Sequence, residues 1–224
     1  MKTKEPQYSY LLDKKNKKGL AKLGLMMSAT WEKDPKKLAF VLSRYKFVSK
    51  MLEGKNDVLE VGCGDAWASR IVSQTVNKLT VSDFDHVFIE EAKKLKDELW
   101  PMDYLIHDLT QKPFDKTYDA IYLMDVFEHI DNLKEDKFLR NLIGSIKNDG
   151  CAIIGMPSLE SQKNILPEER DIGHVNCKSG QDFKKLMISY FNNVFLFSMN
   201  DEIVHTGYHK MANYLIVLCC SPKK

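Results

Sequence analysis

From residue 34 onward the chain alternates between two hydrophobic rhythms. Asp34-Pro35 offers a helix cap followed by a proline suited to a first helical turn, and Leu38, Val41, Leu42, Tyr45, Val48 and Leu52 then recur at helical spacing. This predicts an amphipathic helix closed by Gly54 and Asn56. Asp57-Val-Leu-Glu-Val61 follows as a short apolar strand that runs directly into a glycine turn. Beyond it the pattern predicts a helix near Ala66–Gln74, a strand at Leu79–Ser82, a helix over Asp85–Leu99 and a strand at Tyr104–Ile106. A strand at Tyr118–Met124, a helix over Leu133–Ile146 and a strand at Cys151–Met156 complete the series. Strict alternation at these lengths implies βαβ units, hence a parallel sheet covered on both faces.

The two ends depart from this rhythm. Ser179-Gly-Gln-Asp182 has the form of a capping box opening a helix to about Tyr190. The β-like runs Asn193–Met199 and Met211–Cys219 leave no room for a helix between them, so they should pair as an antiparallel hairpin. At the other end, Lys14, Lys15, Lys17 and Lys18 precede a weak apolar period at Leu20, Leu23 and Leu25. Residues 1–34 therefore read as a loosely held arm on a domain spanning 35–224, with the lysines as a solvated surface. The arm could close over a site or mediate a homodimer.

Composition narrows the choice of partner. With 44% hydrophobic residues, 29% charged residues and a net charge of +2, the 224-residue chain has no field able to recruit nucleic acid or anionic lipid. Five cysteines without C-x-x-C spacing give neither a disulfide framework nor a zinc knuckle, which points to a reducing cytoplasm. No apolar run has the length of a membrane span or a secretory leader. The expected partner is a small molecule held in a site.

That site is marked by Glu60-Val-Gly-Cys-Gly64, at the carboxyl end of the first strand of a doubly wound sheet. Glycine permits a sharp turn and lets a ligand approach main-chain N–H groups. Asp83 ends the second strand, where a carboxylate can accept hydrogen bonds from both hydroxyls of a ribose. The same pair of features describes a nicotinamide dinucleotide site. However, Ala66-Trp67 replaces the last glycine of that fingerprint, and the acid Glu60 before the turn suits a cationic ligand better than a pyrophosphate.

Val58-Leu-Glu-Val-Gly-Cys-Gly-Asp65 resembles the first motif of class I S-adenosylmethionine-dependent methyltransferases. Thr80-Val-Ser-Asp-Phe-Asp85 with Ile89-Glu-Glu-Ala92 is similar to their second strand and helix. The stretch Tyr118 to Ile130 is similar to their fourth-strand motif, and Ile146 to Ile154 to the turn and strand after it. The resemblance covers about residues 38–218. It implies a Rossmann-like, mostly parallel seven-stranded sheet with an antiparallel last strand, and S-adenosylmethionine as cofactor. Carried over by position, it implies that Gly62, Cys63 and Gly64 lie beside the methionine part, with Glu60 orienting its amino group. Asp83 would hold the ribose, Phe84 and Leu109 would pack on the adenine, and Asp108 would contact the adenine amino group. Met124 and Asp125 would border the methionine end, and Arg44 would pair with the cofactor carboxylate.

A hydroxyl acceptor must also lose a proton, and histidine suits that task at neutral pH. His174, in the irregular stretch after the fifth strand, is the first choice as general base, and His129, just past the fourth strand, is the second. No metal is expected: Asp171, His174, His205 and His209 could converge from neighbouring loops, but nothing in their spacing forces it. The polar segment 158–178 favours a sugar or another polar metabolite over a quinone. No Asn/Asp-Pro-Pro-Tyr/Phe tetrapeptide or basic aromatic stripe points to nucleic acid. O-methylation of a small acceptor is thus the expected chemistry. N-methylation, a noncatalytic S-adenosylmethionine-binding protein and a nicotinamide-dependent oxidoreductase are the alternatives.

Overall fold

A computed structural model describes residues 3–224. Its centre is one eight-stranded sheet, in the order β3-β2-β1-β4-β5-β8-β6-β7. The strands are β1 (Asp57–Val61), β2 (Lys78–Asp83), β3 (Asp103–Ile106), β4 (Tyr118–Met124), β5 (Ile146–Pro157), β6 (Phe191–Asn200), β7 (Ile203–His205) and β8 (Tyr214–Pro222). The first five pair in parallel. β8 runs antiparallel between β5 and β6, so the two C-terminal runs do form the expected hairpin. The seven strands implied by resemblance are present, and the three-residue β7 adds an eighth on the outer edge of β6.

The period of two along β1 and β4 divides the core. Leu59, Val61, Ile121 and Leu123 face one side, where they meet Phe127, Phe138 and Leu142, while Val58, Ala120, Tyr122 and Met124 face the other, among Tyr45, Val48 and Leu52. The second side is covered by α3 (Lys36–Met51), whose helical stripe buries Leu38, Tyr45, Val48 and Ser49. The first side is covered by α6 (Glu135–Gly144) and α8 (Gly180–Ile188). Phe127 and Phe138 are 0% and 1% exposed, so truncating either to alanine would cost about 3–5 kcal/mol.

Local chemistry sets the remaining boundaries. The turn after β1 extends past Trp67, so the helix expected from Ala66 shrinks to α4 (Ser69–Ser73). Helix α5 (His86–Lys94) is capped by the Asp85 side chain, which accepts from Val87 N at 2.9 Å. It stops at Lys94, well short of the expected Leu99. Ser179 caps α8 by accepting from Asp182 N at 3.2 Å. The segment after β5 holds α7 (Leu159–Asn164) and a 3-10 turn at Pro167–Glu169. At the amino end, α1 (Ser9–Lys18) and α2 (Leu25–Lys33) bury no residue. The strand order reverses between β1 and β4, which opens a crevice at their carboxyl ends.

Candidate active site

A cavity of about 660 Å³ fills that crevice. Gly62 and Gly64 line it with φ of +73° and +52°, in the left-handed region that glycine adopts without strain. A side chain at Gly62 would also place its Cβ 2.3 Å from Val126 Cγ2. The chain therefore turns too tightly here for any other residue. Ala66 closes the turn at φ +52°.

Asp83, 7% exposed, ends β2 on the cavity wall. Its Oδ2 accepts from Gly64 N at 3.0 Å and its Oδ1 from Asp85 N at 3.0 Å, so its carboxylate is fixed against the glycine turn. Burial pushes its pKa upward, and these amide bonds oppose the shift. Phe84 extends beside the cavity with 74% of its surface exposed, a free aromatic face at the mouth. After β3, Asp108 Oδ1 accepts from Thr110 N at 2.8 Å and Thr110 Oγ1 at 2.6 Å, while buried Leu109 adds an apolar wall. Cys63, Met124 and Asp125 also line the cavity.

Two residues expected at the cofactor, Glu60 and Arg44, do not line the cavity. Glu60 is 1% exposed and does not line the cavity: Tyr45 Oη donates to its Oε1 and Tyr122 Oη to its Oε2, each at 2.6 Å. The side-chain period of two aims it into the α3 face of the sheet, where it is a buried buttress. Arg44 is likewise engaged within the protein. Its Nη1 donates to Asp125 Oδ2 at 2.6 Å, and its guanidinium stacks 3.7 Å from the centre of the Tyr214 ring. This pair holds Asp125 in a left-handed conformation, φ +57°, at the carboxyl end of β4.

Beyond Asp125 the chain forms a 3-10 turn, Phe127–His129, and brings a second group together. Glu128, His129 and His174 each present one ligand-type atom within 4.8 Å of the others. The His129 and His174 rings lie 5.0 Å apart, and His129 also lines the cavity. His129 Nδ1 is 2.9 Å from Gly173 O, and His174 Nδ1 is 3.0 Å from Gln162 Oε1. Both imidazoles are therefore oriented by their Nδ1 atoms, and His174 Nε2 lies 3.8 Å from Asp171 Oδ2. Burial lowers the His174 pKa, and the nearby Asp171 opposes the shift. Glu128 is fully buried, neither of its oxygens has a hydrogen-bond partner, and burial followed by the charge of Asp125 pushes its pKa to about 9. The grouping that sequence reasoning considered for a metal does not assemble: His205 bonds Asn200 Oδ1 at 3.0 Å and His209 packs on Gly180, away from His174.

A doubly wound sheet with a glycine cradle and a fixed acid at the end of the next strand defines a nucleoside-binding class of domain. Comparison narrows the class. A methyltransferase-domain family profile matches residues 58–150, the span from β1 to the start of β5. Ubiquinone biosynthesis O-methyltransferase of Rickettsia typhi is 30% identical over 188 residues, covering 77% of this chain and 74% of that protein. Its counterpart in Rickettsia felis is 27% identical over 166 residues, covering 67% and 65%. The match thus spans just under two thirds of the Rickettsia felis protein, and 59% of the Rickettsia akari one. Among solved structures, a S-adenosylmethionine-dependent methyltransferase from Clostridium acetobutylicum superposes with a TM-score of 0.66 at 11% identity, covering 87% of this chain and 97% of that one. The DhpI complex with S-adenosylhomocysteine gives 0.62 at 16% identity, covering 87% and 88%. The chain belongs to the class I S-adenosylmethionine-dependent methyltransferases.

The cavity fits the cofactor of that family. Its volume, its glycine cradle, the fixed acid of Asp83 and the apolar wall at Leu109 match an adenosyl group with an amino-acid tail.

Proposed function

We propose that this protein O-methylates a small hydroxylated acceptor that enters beside His129 and His174. The observation that carries the proposal is the adjacency of the imidazole pair to the cavity at Met124 and Asp125. Bound S-adenosylmethionine supplies a methyl group on a sulfonium, which is displaced in line. The glycine cradle and Asp83 hold the nucleoside, Asp108 contacts the adenine edge, and Phe84 closes over it. His174, kept neutral by burial and oriented by Gln162, takes the acceptor proton, and His129 orients the hydroxyl. The rim segment exposes Leu166, Ile172 and Val175, which favours an acceptor hydroxyl on an apolar ring over the sugar expected from composition. The names of the Rickettsia relatives point the same way.

One observation favours a second reading of the proton step. A buried carboxylate with two unpartnered oxygens beside two imidazoles is a suitable donor set for a divalent cation. Such an ion would lower the pKa of a coordinated hydroxyl, and Glu128, His129 and His174 would hold it. In either form the acceptor is a small molecule, with no role for nucleic acid, and the free cysteines suit a reducing cytoplasm. No described helix is long and apolar enough to cross a membrane.

Calorimetry with S-adenosylmethionine, S-adenosylhomocysteine and NAD tests the cofactor, with Asp83→Ala as control. Micromolar binding of the first two, lost in the variant, is the expected result, and preference for NAD would refute it. Acceptor screening with catechols and sugars, with and without a chelator, then separates the histidine-only reading from the cation-assisted one.

A further inference from the structure

Helix α2 has an unusual cap. Its N-cap position is Gly24, which has no side chain, and the helix buries no residue of its own. The missing acceptor comes from 39 residues downstream: Met26 N donates to Asp65 Oδ2 at 2.8 Å, and Met27 N to the same oxygen at 3.2 Å. Asp65 is the residue directly after the glycine cradle. It is 3% exposed, and its other oxygen accepts from Trp67 N at 3.2 Å. The close fit depends on Gly24, where a Cβ would lie 2.7 Å from Asp65 Oδ2. Met26 then lies across Gly64, its Sδ 2.5 Å from where a Cβ would stand, and Met26 and Met27 both line the cavity.

The segment before α2 is largely exposed and bounded by two glycines. Gly19 and Gly24 have φ of +76° and +87°, and residues 19–22 between them are exposed. With no buried side chain, α2 rests on the body of the protein through its capped end and its contacts with α3. A helix whose Met26 and Met27 N–H groups donate to the cofactor loop is coupled to that loop.

We propose that α2 is a lid over the cofactor site, that Asp65 is its latch, and that Met26 is the surface it presses onto the cradle. The proposal rests on the S-adenosylmethionine reading and adds a control step to it. Cofactor and its demethylated product exchange when the Asp65 bonds open, so Asp65 is a positioning residue for release and takes no part in methyl transfer. Because the latch oxygen and the ligand share one loop, a ligand that stiffens residues 62–65 also tightens the lid.

The test follows release of S-adenosylhomocysteine from the 224-residue protein by stopped flow, using tryptophan fluorescence, to which Trp67 on the cavity wall and Trp31 on α2 both contribute. Asp65→Ala should speed release about tenfold, the size of a lost helix cap. Asp65→Asn, which keeps an acceptor oxygen, should restore most of the slow release. Met26→Ala changes a half-exposed side chain that cannot threaten folding, and it should speed release by roughly twofold to fivefold. Hydrogen exchange should show the amides of residues 26–30 losing protection in Asp65→Ala. Unchanged release in both Asp65→Ala and Met26→Ala would overturn the lid while leaving the cofactor reading intact. Absence of S-adenosylhomocysteine binding by the wild-type protein would overturn the cofactor reading, and with it the lid's role in release.

Discussion

Replacing Glu128 with glutamine should stabilise the cation-free protein while impairing its activity. In the native state the carboxyl group is sealed from water beside Asp125 with neither oxygen partnered, and its pKa stands near 9 against an ordinary value of 4.5. Between those values the unfolded chain is ionised at this position and the folded chain holds a proton. Folding then binds a proton, and stability must fall as pH rises. The slope is about 1.4 kcal/mol per pH unit, so by pH 7 the wild-type protein has lost about 3 kcal/mol relative to the glutamine variant, which does not titrate. Urea unfolding in the presence of a chelator at pH 5.5, 7 and 8 measures the difference directly. The gap should widen in favour of Glu128→Gln at each step. A gap independent of pH, or a wild type more stable than the variant at pH 8, would refute this account of Glu128. Added manganese or magnesium provides an internal contrast: it should raise wild-type stability, by about 2.7 kcal/mol at a hundredfold excess over Kd, and leave the variant unchanged.

Tyr122→Phe removes the donor to Glu60 Oε2 and should cost about 1–3 kcal/mol in urea unfolding, with S-adenosylmethionine affinity held within about twofold. A large loss of affinity would return Glu60 to the cofactor. Gly62→Ala sets a Cβ against Val126 at a positive φ, and calorimetry should show S-adenosylmethionine affinity falling by at least about tenfold. Since burial holds His174 below the usual histidine range, it is neutral, and able to take a proton, down to lower pH than an exposed histidine. The acidic limb of kcat/KM should accordingly fall with a midpoint below 6.5 and disappear in His174→Ala, and a midpoint above 6.5 would contradict that role.

The regular part of the fold was legible because its signals are local. Period-two burial in β1 and β4, the helical stripe of α3 and the caps at Asp85 and Ser179 are each contained within a few residues. Gly62, Gly64 and Asp83 line the cavity for the same reason, since they stand at or just after the ends of strands whose direction is fixed. That Glu60 and Arg44 lie off the cavity was not legible, because their partners, Tyr45, Tyr122, Asp125 and Tyr214, come from distant elements, and no spacing reveals which of several acids meets which base. Glu128 was missed although the run Asp125-Val-Phe-Glu-His129 placed an acid amid apolar positions. The latch at Asp65 leaves no mark in sequence at all, because a cap is ordinarily sought beside the helix it serves.

Ala66 shows what such a motif actually specifies. It occupies the left-handed region at φ +52°, a conformation that glycine adopts freely and that costs a non-glycine residue about 1–2 kcal/mol. The letter is not glycine, yet the bend is one that glycine favours. A search for one strict glycine spelling would pass over such a turn, whereas one that matches backbone angles would gather it.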